Sequence, residues 1–330
     1  MSDPTRQPVH APNLGQEQAP RKVILDVDPG HDDAVAILLA AASPEIELLA
    51  ITAVAGNQTL PKTSLNARRA CSVAGISGVP VAAGCDRPLV RPQRIAENIH
   101  GDSGLDGPTF AGEPSVPLDP RHAVDLIVEL LMASNGDIVL VPTGPLTNVA
   151  TAMRREPRIV ERIRHISLMG GAWGFGNQTP SAEFNILVDP EAARIVFESG
   201  APITMCPLEL THQAKATPDV IARIEAVGTP LARFVVEMLG FFASTYKRMH
   251  GFDGPPLHDP TAVAWVIDPG LFETRMAHVD IETHAEFSYG RTVVDLHDVL
   301  GLPRNVEVAT TLDVPRFWDL VIGAIASYGG

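Results

Sequence analysis

Short stretches rich in apolar residues alternate along the chain with segments in which apolar residues recur at helical spacing. The apolar stretches are bounded by glycine, proline or polar residues, which is typical of strands buried in a parallel sheet. They predict strands at Val23–Val27, Glu47–Val54, Val79–Gly84, Ile138–Val141, Ile163–Met169 and Ile203–Cys206, and further strands between Ala277 and Val314. Helices are predicted from Ala34 onward, at Leu60–Val73, Arg121–Ser134 and Phe317–Ser327, and over most of Pro218–Tyr246. This pattern predicts an α/β protein, a single domain with a mostly parallel, Rossmann-like central sheet flanked by helices.

Four aspartates lie where the first predicted strand passes into the first helix, namely Asp26, Asp28, Asp32 and Asp33. Asp32 and Asp33 fall in the first helical turn, where free N–H groups and the helix dipole favour anions. Asp26 and Asp28 lie instead at the carboxyl end of the strand, where open parallel sheets place their binding sites. Carboxylates this close repel one another unless a cation joins them, and hard divalent cations prefer carboxylate oxygens. The stretch therefore predicts a metal site.

Other polar residues also follow predicted strands. Asn57 and Thr143 each come just after a strand. Glu183 and Asn185 flank Phe184 in a segment predicted to be extended, so that both polar side chains would point the same way. A carboxylate beside an amide suits a pair of vicinal hydroxyls, because both accept hydrogen bonds and the amide also donates them.

Two histidines in predicted loop segments are candidate functional residues. His100 lies in a loop predicted over Asp86–Pro120, whose length is typical of functional loops. His258 and Asp259 precede an apolar helix, where Asp259 alone would be an ordinary N-cap residue and His258 a loop residue. Structural roles stay open for Asn57, as a turn residue, and for His100, as a solvated histidine.

Composition narrows the class of protein. The chain has 330 residues and a formal net charge of −14, which argues against nucleic acid or an anionic membrane as a partner. Cys71, Cys85 and Cys206 lie far apart without metal-binding spacing, which favours buried thiols in a reducing cytoplasm. No stretch is long and apolar enough to predict a membrane span. Residues 1–20 are rich in Pro, Gln and Ala and are predicted to be a disordered tail, with the folded domain at 21–330.

The aspartate-rich stretch resembles the signature of the nucleoside hydrolase family, the N-ribohydrolases of the inosine–uridine type. That signature is Asp-x-Asp-Pro-Gly-x-Asp-Asp-Ala, found here from Asp26 to Ala34. Similar segments surround Asn57, Ile99–Gly107, Gly176–Asp189 and the pair His258 and Asp259. The resemblance implies the nucleoside hydrolase fold, with 21–330 as its catalytic domain. It also implies calcium-dependent hydrolysis of inosine-, uridine- or cytidine-type ribonucleosides to free base and ribose.

The resemblance also implies roles for individual residues. Ca²⁺ would be held by the side chains of Asp28, Asp33 and Asp259 and the main-chain carbonyl of Thr143. Asp32 is expected to be the general base toward the attacking water. His258 is the expected general acid for the departing base, and His100 is expected to assist it. The candidate substrate-binding residues are Asn57, Met169, Asn177, Glu183, Phe184, Asn185, Tyr246 and His250.

His258 further implies the branch of the family that accepts both inosine and uridine or prefers pyrimidines. Three alternatives stay open: a hydrolase of the same fold acting on a modified N-riboside, a phosphohydrolase using Asp26 and Asp28, and a non-catalytic ribose- or calcium-binding protein. Such phosphohydrolases usually carry Thr or Val at the position of Gly30, which disfavours the second. The resemblance also implies a homodimer or homotetramer that binds a small ribonucleoside.

Overall fold

The structure, a computed structural model, describes residues 19–110 and 112–329, without the side chain of His250. The predicted tail at residues 1–20 lies outside the described residues except for its last two positions. The strands within the described part are β1 (Arg21–Val27), β2 (Ile46–Ala53), β3 (Val81–Ala83), β4 (Leu118–Asp119), β5 (Ile138–Pro142), β6 (Ile163–Met169), β7 (Ile203–Cys206), β8 (Phe272–Ile281), β9 (Thr292–Asp295) and β10 (Val306–Leu312).

The described strands form one sheet in the order β4-β3-β2-β1-β5-β6-β7-β10-β8-β9. All neighbours are parallel up to the β7–β10 pair, and β8 runs antiparallel to both β10 and β9. The chain moves outward from β1 in one direction through β4, then returns to β5 on the other side of β1. This reversal is a topological switch point, where parallel sheets open a crevice at their carboxyl ends.

Helices cover both faces of the sheet. The described helices are α1 (His31–Ala42), α2 (Leu60–Ala74), α3 (Glu97–His100), α4 (Ala123–Ala133), α5 (Thr147–Arg155), α6 (Phe184–Val188), α7 (Pro190–Phe197), α8 (Leu208–Thr211), α9 (Pro218–Glu225), α10 (Pro230–His250), α11 (Pro260–Ile267) and α12 (Val314–Ser327). One apolar core packs α1, α2, α10, α11 and α12 on one face of the sheet. A second core packs α4, α5 and α7 on the other face. None of the described helices is both long and apolar enough to cross a membrane.

The predicted fold class is therefore confirmed, and the differences are local. Helix α1 begins at His31, so Asp32 and Asp33 lie in its first turn as predicted, and the apolar helical pattern starts only at Ala34. The Asp33 carboxylate accepts a hydrogen bond from the Gly30 N–H at 3.1 Å, which closes this first turn. The predicted loop Asp86–Pro120 contains the short elements α3 and β4. The predicted helical region Pro218–Tyr246 is divided into α9 and α10.

Candidate active site

The carboxylates predicted to bind a metal meet at the carboxyl end of β1. Asp28 directly follows β1, Asp32 and Asp33 lie in the first turn of α1, and Asp259 precedes α11. One oxygen from each of Asp32, Asp33 and Asp259 lies within 4.8 Å of the others. The Asp33 carboxylate is oriented by Thr143, whose Oγ1 donates to Asp33 Oδ1 at 2.8 Å. The sheet topology thus joins residues that are more than two hundred positions apart in the chain.

Two glycines make room for the Asp28 carboxylate. A Cβ atom at Gly56 would lie 2.0 Å from Asp28 Oδ2, and one at Gly144 would lie 2.5 Å from Asp28 Oδ1. The Asn57 N–H donates to Asp28 Oδ2 at 2.6 Å. Asp28 Oδ1 and Asp32 Oδ1 are buried and have no hydrogen-bond partner among the described residues. Unpaired buried oxygens are costly, so these two atoms point to a ligand at this position.

Burial and mutual repulsion disfavour the charged forms of these carboxyls. Burial raises the pKa of Asp32 to about 7, and the neighbouring Asp33 adds to the effect. The pKa values of Asp28 and Asp259 are raised well above the ordinary range by burial, then by the surrounding aspartates. A divalent cation would relieve this repulsion, and an all-oxygen donor set suits a hard cation. The aspartates of this chain therefore fit the predicted metal, although the donor set does not by itself select Ca²⁺.

We expect the metal-free protein to lose stability as the pH rises. Folding raises the pKa of Asp32 from 3.8 to about 7. The free energy of unfolding therefore falls progressively as the pH rises through this interval, and the full loss is reached above it. A bound cation removes the penalty, because it needs the ionised carboxylates. The difference in Tm between samples with Ca²⁺ and with EDTA should therefore widen by about 5 °C or more between roughly pH 5 and pH 8. Scanning calorimetry measures it, and a difference independent of pH would contradict the metal assignment.

The polar residues predicted to grip the ribose surround the same pocket, but their backbone differs from the prediction. Glu183 is the N-cap of the short helix α6, and Asn185 lies in its first turn, so the segment is not extended. The Glu183 carboxylate accepts hydrogen bonds from the N–H groups of Gly171, Asn185 and Ile186 at 2.8–3.1 Å. These side chains are therefore oriented by the start of a helix and not by the expected extended segment.

Asn185 links this helix to the metal-binding side of the pocket. Its Nδ2 donates to the main-chain carbonyl of Thr143 at 2.7 Å and to that of Met169 at 3.2 Å. Asn177 Oδ1 accepts from the N–H of Phe184 at 2.9 Å, which fixes the loop before α6. The Thr143 carbonyl, which the sequence predicts as a metal ligand, is therefore held in place by a side chain that also lines the pocket.

His258 is held between two hydroxyl groups. Its Nδ1 lies 2.7 Å from Thr211 Oγ1, and its Nε2 lies 2.8 Å from the Tyr246 hydroxyl. Burial raises the pKa of Tyr246 well above its ordinary value, so this phenol keeps its proton. The three residues form a continuous hydrogen-bonded chain that reaches the pocket through His258 and Tyr246.

Most of the sequence-predicted site residues line one pocket. They are Asp32, Asn57, His100, Thr143, Met169, Asn177, Glu183, Phe184, Asn185, Tyr246, His258 and Asp259. Asp28 and Asp33 are fully buried, and the side chain of His250 lies outside the described part. The sequence prediction missed four lining residues and the Thr211 partner of His258; the four are Ala96, Ile99, Gln178 and Phe242. The sequence feature that could have pointed to Phe242 is the group of aromatic residues Phe234, Phe241 and Phe242 in the predicted helical region.

Comparison with known proteins establishes the class of the protein. The family model described as inosine-uridine preferring nucleoside hydrolase matches residues 23–319. The chain therefore belongs to this family, and the predictions of family, fold and N-ribohydrolase activity are confirmed.

Individual relatives cover almost the whole chain. The pyrimidine-specific ribonucleoside hydrolase RihB of Escherichia coli (strain K12) is 50% identical over 309 residues, which span 93% of this chain and 98% of the relative. The solved structure of a purine-preferring ribonucleoside hydrolase from Gardnerella vaginalis matches with a TM-score of 0.87 and 34% identity, over 94% of this chain and 99% of that one. A plant nucleoside hydrolase, PpNRh1, matches with a TM-score of 0.87 and 31% identity, over 93% and 99%.

Proposed function

We propose that this enzyme hydrolyses pyrimidine ribonucleosides, uridine and cytidine, to free base and ribose with the aid of Ca²⁺. The observation that carries the proposal is one pocket that combines the aspartate cluster with the pair His258 and Tyr246. The first group suits activation of water, and the second suits protonation of a departing base. The 50% identity to a pyrimidine-specific relative supports the choice of substrate.

The residues that would hold Ca²⁺ are Asp28, Asp33, Asp259 and the carbonyl of Thr143. When bound, the cation supplies Lewis acidity toward water and ribose hydroxyls. Asn185 keeps the Thr143 carbonyl oriented through the 2.7 Å hydrogen bond. Two of these four donors follow strands β1 and β5, and two lie at the starts of helices α1 and α11, so the site needs the folded sheet.

Asp32 is the proposed general base. Asp28 and Asp32 each have one carboxylate oxygen without a partner among the described residues, but only Asp32 lines the pocket. Without the cation, burial raises the pKa of Asp32 to about 7; the cation lowers it again, so Asp32 is ionised and able to accept a proton at neutral pH. Asp32 would take the proton of the water that attacks the anomeric carbon.

The sugar would be held by polar side chains that are already fixed before it binds. Glu183 is held by three backbone N–H groups and Asn177 by one. Asn57 Nδ2 donates to Asp33 Oδ2 at 3.3 Å, which ties the ribose side of the pocket to the aspartates. Rigid placement of the reacting carbon near the base lowers the entropic part of the barrier, since N-glycosidic cleavage passes through an oxocarbenium-like state.

The departing pyrimidine would receive its proton from the chain formed by Thr211, His258 and Tyr246. Thr211 fixes the orientation of the imidazole at Nδ1. The other imidazole nitrogen, Nε2, is hydrogen-bonded to the Tyr246 hydroxyl at 2.8 Å, and both residues line the pocket. A proton delivered from this pair neutralises the charge that develops on the leaving base.

Release of free base from a panel of nucleosides tests the proposal. We expect uridine and cytidine to give kcat/KM values about tenfold or more above that of inosine, since a mismatched pocket costs at least this factor. EDTA should abolish cleavage, and added Ca²⁺ should restore it better than Mg²⁺. The matched substrate control is 2′-deoxyuridine, which lacks one hydroxyl of the diol and should be cleaved at least about a hundredfold more slowly.

Other outcomes change the assignment in defined ways. Faster cleavage of inosine than of uridine would make the enzyme purine-preferring, like the Gardnerella relative by its name. Full activity in EDTA would contradict the role of Ca²⁺. No release from any nucleoside would overturn the substrate proposal in favour of a modified N-riboside.

A further inference from the structure

His31 is buried next to the pocket but does not line it, and the mechanism above does not use it. Its imidazole stacks near the rings of Phe241 and Phe242, at centroid distances of 5.5 and 5.0 Å. His31 Nε2 lies 2.7 Å from the main-chain carbonyl oxygen of Asp106. His31 Nδ1 lies 3.0 Å from Nδ1 of His100, which does line the pocket. Both nitrogens of this buried ring therefore have a partner.

The two side-chain contacts of His31 favour one arrangement of the protons. A carbonyl oxygen only accepts hydrogen bonds, so His31 Nε2 must carry a proton. In a neutral imidazole the other nitrogen is then an acceptor, and His100 must donate to it from its own Nδ1. That leaves His100 Nε2 unprotonated. No described residue hydrogen-bonds to His100 Nε2, and this atom is not among the fully buried atoms that lack a partner.

We propose that His31 is a positioning residue that holds His100 in the Nδ1–H tautomer, so that His100 Nε2 accepts a hydrogen bond from the substrate. The identity of that substrate rests on the proposed function. His100 packs against Phe242 and lines the same pocket as His258, the proposed proton donor, which puts His100 on the base side of the proposed site. The matching donor is either the N3–H of uracil or the ribose 5′-hydroxyl. His100 then recognises the substrate as an acceptor, instead of assisting the general acid as the sequence suggested.

One contact opposes this tautomer. The main-chain N–H of His31 also points toward His100 Nδ1, at 3.3 Å, and would favour an unprotonated nitrogen there. The side-chain contact is shorter, and in the opposite tautomer two lone pairs would face each other across 3.0 Å. Both rings are neutral above about pH 7 from the ordinary pKa of histidine, and burial lowers the pKa of each further.

Neutron diffraction from crystals of the whole enzyme in D₂O at about pD 8, without substrate, locates the protons directly. We expect deuterium on Nδ1 of His100 and on Nε2 of His31. Deuterium on Nε2 of His100 would overturn the proposal. This measurement does not depend on activity, so it remains decisive even if no nucleoside is cleaved.

Kinetics of two substitutions at His31 test the consequence for the substrate. His31→Leu removes the acceptor and should lower kcat/KM for uridine by about tenfold, the effect of one hydrogen bond. His31→Asn places a side-chain oxygen near the Nδ1 position and should recover most of the loss. His165→Leu is the matched control, because His165 is also a buried histidine but pairs with Thr204 on the sheet; it should leave kcat/KM within about twofold of the native value.

Two uridine analogues identify the donor. The tenfold effect of His31→Leu should disappear for 3-methyluridine if the donor is the base N–H, or for 5′-deoxyuridine if it is the 5′-hydroxyl. Equal effects of His31→Leu on uridine and on both analogues would overturn the proposal. Failure of His31→Asn to recover activity while the variant remains folded would also contradict it, because a purely steric role would then explain the loss.

Discussion

Replacing Asp32 with asparagine is expected to remove most turnover while the folded protein still binds Ca²⁺ and ribonucleoside. The amide keeps the size of the side chain but cannot accept the proton of the attacking water. Loss of a general base lowers kcat by about 10²- to 10⁴-fold. Steady-state kinetics with uridine give kcat, and equilibrium dialysis with calcium and with a non-hydrolysable riboside gives the two affinities.

Three further substitutions make the result specific to Asp32. Asp28→Asn and Asp33→Asn should weaken calcium binding as well as turnover, since both residues are proposed ligands. Asp189→Asn is the matched control, because Asp189 is a buried carboxylate that caps α7 and accepts from Thr147 at 2.7 Å, away from the aspartate cluster. It should leave kcat near the native value. If Asp28→Asn kept its calcium and lost turnover while Asp32→Asn stayed active, the base would be Asp28.

The parts of the fold that sequence predicted well are those governed by local signals. The strands Ile163–Met169 and Ile203–Cys206 have the predicted bounds, because each begins at an isoleucine and stops where Gly170 or Pro207 follows. The stretch that holds Asp28, Asp32 and Asp33 could be predicted equally well. An apolar strand, a Pro-Gly turn and a small-residue helix follow one another within twenty positions, so the grouping of Asp28, Asp32 and Asp33 needs no long-range information.

Glu183 and Asn185 show why other parts could not be predicted. Helix α6 has only five residues, too few for an apolar period of 3.6 to be visible. Its start is fixed by the Glu183 carboxylate, which accepts from two N–H groups of its own helix and from Gly171 at the end of β6. The contact with Gly171 depends on tertiary structure, so Glu183 and Asn185 were expected in an extended segment and lie instead at the start of a helix.

The hydrogen-bond partners of His258 and His100 also could not be predicted from the sequence. Thr211 lies 47 positions before His258, and His31 lies 69 positions before His100. Neither partner follows a spacing that a motif could reveal, since each contact exists only because α8 and α1 pack beside the pocket. Motif reasoning therefore identified the residues that line the pocket more readily than the residues that orient them.

Replacing His258 with alanine is expected to be nearly as damaging as the loss of Asp32, but only for substrates whose base must be protonated. Uridine and inosine should lose about 10²- to 10³-fold in kcat, the usual effect of removing a general acid. The leaving group of 4-nitrophenyl riboside is 4-nitrophenolate, a stable anion that needs no proton. The kcat for this substrate should therefore fall by less than about tenfold. Measuring kcat for both substrates in the native enzyme and in His258→Ala gives the ratio directly.

Variants of the two hydroxyl partners separate proton donation from packing. Tyr246→Phe keeps the ring beside Phe242 but removes the hydroxyl that lies 2.8 Å from His258 Nε2, so it should share the selective loss on uridine. Thr211→Val keeps the volume at Nδ1 and should have a smaller effect of the same kind, since it only orients the imidazole. Equal losses on uridine and nitrophenyl riboside in His258→Ala would show that this histidine supports binding or structure, and the proton donor would then have to be sought elsewhere in the pocket.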